Sequence, residues 1–116
     1  MHRNAVFFAW NRSVPGREEA SGAHFDEFVA YLSAQAQNGT IQGFDVVFLD
    51  PHGGDMNGFF LIKGEPEGIQ ALLSSPEWTE HMTRASLHLM GSGSVGAVTG
   101  DQVARRMDLW KRLSSG

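Results

Sequence analysis

Residues 41–64 read IQGFDVVFLDPHGGDMNGFFLIKG, two apolar runs joined by a loop of turn residues. In the first run Phe44, Val46 and Phe48 alternate with Val47 and Leu49; in the second, Phe59 and Leu61 alternate with Phe60 and Ile62. Both parities are apolar, so the stretch predicts a β-hairpin that needs cover on each face. Pro51 ends the first strand, and Gly53 and Gly54 permit the tight reversal.

The flanking segments build a domain around this hairpin. Ala5 to Asn11 predicts a first strand, again apolar on both parities. After Pro15-Gly16, a helix is expected from about Glu18 to Asn38, with Phe25, Phe28, Val29, Leu32 and Ala36 at helical spacing. Asn38-Gly39 closes it, because glycine accepts the left-handed conformation at a helix end. Beyond the hairpin, Pro66 opens a second helix with Ile69, Leu72 and Leu73 on its inner face. Ser75-Pro76-Glu77 reads as a fresh N-cap followed by proline at the first helical position, so this helix is expected to break near Ser74-Ser75. Trp78, Met82 and Ala85 continue the apolar face after the break. His88 to Thr99, interspersed with Gly91, Gly93 and Gly96, predicts a weak edge strand, and the GxGxxG spacing there has no βαβ context. Val103, Met107, Trp110 and Leu113 then form the stripe of a terminal helix.

The resulting order is that of a ferredoxin-like βαββαβ core plus a C-terminal helix: a single α+β domain over residues 1–116, with an antiparallel sheet and both main helices on one face. Helices cover one face only. The other, assigned here to Val6, Phe8, Trp10 and one parity of the hairpin, is expected to meet a second copy in a homodimer.

Composition narrows the function classes. The net charge is −4 and the acidic residues are not clustered, so neither nucleic acid nor an anionic membrane is an expected partner. The absence of cysteine excludes disulfides, thiolate metal sites and a cysteine nucleophile. The apolar run from Ala5 to Trp10 is too short for a signal-peptide core, and the cytoplasm is the expected location.

The element order, the two-sided strands, the S-P-E-W start at Ser75 and the extra helix together resemble the dimeric α+β barrel superfamily. Its members include antibiotic-biosynthesis monooxygenase-like and haem-degrading proteins. The resemblance covers nearly the whole chain, by pattern, through loose motifs. It implies sheets paired face to face and a small-molecule pocket between each sheet and its own helices. It also implies a cofactor-independent monooxygenase-like activity on an aromatic or polyketide-like substrate; the alternative is a non-catalytic sensing or assembly module. The stretch A-W-N-R at residues 9–12 looks like the haem-degrading branch, whose strand-one asparagine lies over the ligand. That branch also carries a tryptophan and a histidine where this chain holds Leu72 and Met82. His81 is one position away, a rotation of about 100° on a helix. The departure argues against haem, and no cofactor is expected.

Candidate site residues follow from these placements. Asn11 would point toward the helices if the even positions of its strand meet the partner; otherwise it is a strand-ending residue that caps a turn. His52 with Asp55, in the loop Asp50-Pro51-His52-Gly53-Gly54-Asp55, offers a base and an orienting acid, although aspartates also belong in turns for their own backbone bonds. His24 flanks the buried stripe of the first helix, with Phe28 and Tyr31 at four and seven residues' distance, so it is either a pocket-lining group or a partly buried neutral histidine. Asn11, His24, His52 and Asp55 are thus the catalytic candidates, and Phe28, Tyr31 and His81 the substrate-binding ones. The pocket is expected to be lined by Asn11, His24 and His81, with His52 at its mouth and a small apolar or aromatic ligand inside. His81 and His88, seven residues apart, lie about 10 Å apart along a helix axis, and no metal site is expected.

Overall fold

A computed structural model of the chain describes residues 2–115. Strands β1 (Ala5–Trp10), β3 (Gly43–Phe48), β4 (Gly58–Lys63) and β6 (Gly93–Ala97) form one antiparallel sheet in the order β3-β4-β1-β6. Helices α1 (Glu18–Gln37), α2 (Pro66–Ser74) and α3 (Pro76–His88) supply the residues packed against it. This is the ferredoxin-like α+β arrangement. Two-residue strands β2 (Arg12–Ser13) and β5 (Leu89–Met90) pair beside the main sheet, and α4 (Asp101–Ser114) ends the chain.

Local signals act where the sequence places them. Ser75 breaks the second helix: its Oγ accepts from the Trp78 backbone N–H at 3.3 Å and donates to the Leu72 carbonyl at 2.7 Å, and Pro76 follows at N1. Gly39, just past α1, has φ of 85°, as the helix-end reading requires. Gly91 turns the chain between the short pair and β6 with φ of 63°, so the glycine run serves an edge strand.

The strand faces are the reverse of the expected assignment. Val6, Phe8, Phe60 and Ile62 are buried under the helices with Phe28, Leu32, Ile69, Leu72 and Trp78. Trp10 packs on this same side, against Phe8 and Phe60. The outer face carries the odd positions: Phe7 lies across from Leu61 and Val95, Ala9 from Phe59, and Val47 from Phe59. Phe7 and Phe59 touch there at a centroid distance of 5.0 Å, and Val95 is 59% exposed. The reason is visible in the hairpin. Asp45 and Lys63 share the odd parity and pair at 3.5 Å, and two solvated charges cannot be set into the helix-covered core without a large desolvation cost.

Helix α4 does not cover the open face. None of its residues is buried, and Trp110 and Leu113 are 66% and 72% exposed. The radius of gyration, 15.9 Å, exceeds the roughly 13 Å of a compact chain of this length. No helix among the described residues is long and apolar enough to cross a membrane.

Candidate functional site

Between the sheet and helices α1 and α3 lies a half-open cavity of about 560 Å³. Six aromatic rings line it: Phe8, Trp10 and Phe60 from the sheet, Phe48 at the end of β3, and Phe25 and Phe28 from α1. Met82, Ala85 and Leu89 complete its apolar wall. These rings contact one another at centroid distances of 5.0 to 6.3 Å in tilted and edge-on pairs, the geometry aromatic quadrupoles favour. Gly58 is needed behind the indole, since a Cβ there would lie 2.5 Å from Cζ2 of Trp10.

One edge of the cavity is polar, built from Ser13, Ser21, His24 and His88, with the exposed carboxylate of Asp26 at the α1 side of the wall. Ser21 and His24 stand one turn apart on α1, while His81 and His88 face them from α3. The side chains form a continuous hydrogen-bonded row. Ser13 Oγ lies 2.8 Å from Ser21 Oγ, and Ser21 Oγ lies 2.8 Å from His88 Nδ1. His88 Nε2 is 2.7 Å from His24 Nδ1, and His24 Nε2 is 3.0 Å from His81 Nδ1. Both ring nitrogens of His24 and of His88 are thereby occupied.

Electrostatics keep this row neutral. Burial, followed by the Arg84 guanidinium and the two other imidazoles, lowers His24 from its ordinary 6.5 to about 4. Burial and Arg84 lower His81 as well, and burial, Arg17 and Arg84 lower His88. Arg84 itself is held beside the row by Glu27. The nitrogens form a line of neighbours instead of converging on a point. Among the described residues no group of three or more histidines and carboxylates could hold a metal ion.

The expected site residues divide. His24 and Phe28 line the cavity, and His81 bonds to His24 from behind it. Tyr31 meets His81 in a tilted ring contact with centroids 4.6 Å apart, and its hydroxyl lies 3.4 Å from Ser75 Oγ, outside the wall. Asn11 is not in the wall: it sits in the step between β1 and β2, its backbone N–H donating to Met90 and its side-chain oxygen accepting from Asn57 at 2.8 Å. That is the strand-ending role. His52 and Asp55 are exposed and do not line the cavity; His52 Nδ1 is instead 3.0 Å from the Asp50 carbonyl, a local turn contact. Ser13, Ser21 and His88 belong to the site although sequence reasoning did not select them. The available signal was spacing: Ser21 and His24 are three apart on one helix, and His81 and His88 seven apart on another.

No protein family profile matches the chain, and no curated protein sequence does. Its fold has solved counterparts. A dimeric protein of unknown function and ferredoxin-like fold from Bacteroides fragilis aligns with a TM-score of 0.56 at 11% identity, over 85% of this chain and 100% of that one. A candidate antibiotic biosynthesis monooxygenase from Bacteroides thetaiotaomicron aligns with a TM-score of 0.56 at 13% identity, over 84% and 90%. At such identity the likeness is one of fold: a ferredoxin-like α+β chain, similar to antibiotic-biosynthesis monooxygenase-like proteins and close to no single one of them.

Proposed function

We propose that the chain binds a small, planar, largely aromatic molecule between its sheet and helices α1 and α3, and acts on it as a monooxygenase-like enzyme. The observation that carries the reading is the cavity of about 560 Å³ with six aromatic rings in its wall and a hydroxyl–imidazole edge. Ligand sites have volumes of this order and combine apolar walls with a few placed polar groups. A barrel serving assembly alone would be expected to fill the space with its own side chains. The oxygenase step is the finer part of the proposal, motivated by the fold shared with the Bacteroides thetaiotaomicron protein. Ionising a hydroxyl on an aromatic substrate enriches the ring system in electrons. Dioxygen then converts a ring methylene to a carbonyl, with one water released.

The reading includes a homodimer. The outer sheet face, centred on Phe7, Phe59, Leu61 and Val95, is the apolar surface left for a second copy.

Quenching of Trp10 emission by 1-naphthol, followed by oxygen uptake with 1,8-dihydroxyanthrone, tests both parts. Micromolar binding and uptake above the spontaneous rate are expected. No binding below millimolar concentration sinks the pocket reading; binding without added uptake sinks the oxygenase and leaves a sensing role.

A further inference from the structure

We infer that the row Ser21–His88–His24–His81 is a proton relay that joins the cavity to solvent, with Ser21 as the group meeting the ligand and His81 as the exit. The inference rests on the pocket reading above. It starts from a constraint. Asp26, the carboxylate in the wall, is exposed and makes no bond to the row. His24 and His88 line the cavity with each ring nitrogen already partnered, so neither imidazole can take a ligand proton directly. Ser21 can. A hydroxyl that donates to His88 Nδ1 and accepts from Ser13 keeps one lone pair for a ligand hydroxyl. At the other end His81 is only half-buried, and its Nδ1 is the nitrogen bonded to His24, which leaves Nε2 as the outward one.

The row is self-consistent in two senses only. With Ser21 donating to His88 Nδ1, each imidazole carries its proton on Nε2 and passes it forward. With all three rings protonated on Nδ1, His81 donates to His24, His24 to His88, and His88 to Ser21. One passage converts the first arrangement into the second. The ligand O–H breaks as its proton goes to Ser21 Oγ, and the Ser21 proton moves to His88 Nδ1. The His88 Nε2 proton moves to His24 Nδ1, the His24 Nε2 proton to His81 Nδ1, and the His81 Nε2 proton to water. The ligand becomes an oxyanion, one hydronium forms, and every imidazole ends neutral. The groups around the row favour this coupled passage over a standing imidazolium. Arg84 opposes positive charge at all three rings and Arg17 at His88, against the weaker attraction of Glu27 at His24 and His81 and of Glu80 at His81.

Solvent exchange of the ring N–H protons of His24 and His88, followed by nitrogen-15 NMR, tests the relay without any ligand. His81→Ala and Ser21→Ala are each expected to slow that exchange at least tenfold, with free imidazole restoring it in His81→Ala. Unchanged exchange in both variants overturns the relay, and because the two act at opposite ends, one that fails to fold leaves the other to decide. A second arm uses 4-nitrophenol bound at saturating protein and jumped from pH 6 to 8. Its ionisation should slow at least tenfold in His81→Ala with affinity unchanged; equal rates overturn the relay. If the wild-type protein binds neither nitrophenol nor 1-naphthol, the pocket reading fails, and the exchange arm alone decides whether the relay operates.

Discussion

Nδ1 of His24 lies 2.7 Å from Nε2 of His88, with the two ring planes at 84° and both residues buried. A shared proton between two imidazoles is favourable only while at least one of them is neutral, so the contact sets a pH limit on the fold. His24 titrates near 4 when folded and near its ordinary 6.5 when unfolded, and His81 and His88 shift in the same direction. The unfolded chain therefore binds the extra protons as pH falls.

Stability is expected to be complete above pH 6.5 and to decline between about 6.5 and 4. Each group can contribute a slope of up to about 1.4 kcal/mol per pH unit. Urea midpoints at pH 7.5, 6, 5 and 4.5 measure this, and the slope should be shallower in His24→Leu. A midpoint independent of pH over this range would contradict the neutral row.

The two faces of β1 give opposite expectations for neighbouring residues. Phe7→Asp, on the outer face, should leave the chain folded and weaken self-association at least tenfold, about 1.4 kcal/mol. Phe8→Asp places a charge among Phe28, Phe60 and Trp10 and should unfold the chain. Light scattering reads the first; a mass near 12.7 kDa for the wild-type protein at micromolar concentration would refute the dimer itself.

Two helical glycines should respond with opposite sign. A Cβ on Gly22 meets nothing within 4 Å, so Gly22→Ala should add about 0.5–1 kcal/mol by helix propensity while narrowing the cavity that Gly22 lines. A Cβ on Gly68 would lie 2.0 Å from the Thr40 carbonyl oxygen, and Gly68→Ala should cost about 1–3 kcal/mol as the backbone moves apart. Thermal melts of the pair decide.

Ser75→Ala removes the N-cap of α3 and the hydroxyl bonded to the Leu72 carbonyl. A loss of about 1 kcal/mol is expected, read from the shift in urea midpoint.

These residues also mark how far the sequence could be read. The element order and the break at Ser75 were legible because capping and proline act locally, within three or four residues. The facing of β1 was not, because AVFFAW is apolar on both parities and alternation then says nothing about inside and outside. Asp45 and Lys63 held the answer one strand away: a charge on the odd parity of each hairpin strand marks the open face. His24, placed by the sequence beside the apolar stripe, does lie in the cavity wall. The imidazole row was not, since its bonds join residues 57 to 67 positions apart and depend on how α1 and α3 cross. The expectation that Asn11 points toward the helices rested on the face that the structure inverts, and Asn11 lies outside the cavity wall.

The bare stripe of α4 has a consequence for how this helix keeps its shape. Fourteen residues make a helix that is marginal in water without a surface to lie on. Its apolar side offers Val103, Met107, Trp110 and Leu113 to solvent, so its winding should depend on association. Helical ellipticity should therefore fall as the protein is diluted, while the signal of the buried Trp78 stays constant. A chain ending at Gly100 should show no such dilution dependence, which makes α4 a segment whose order is set by concentration.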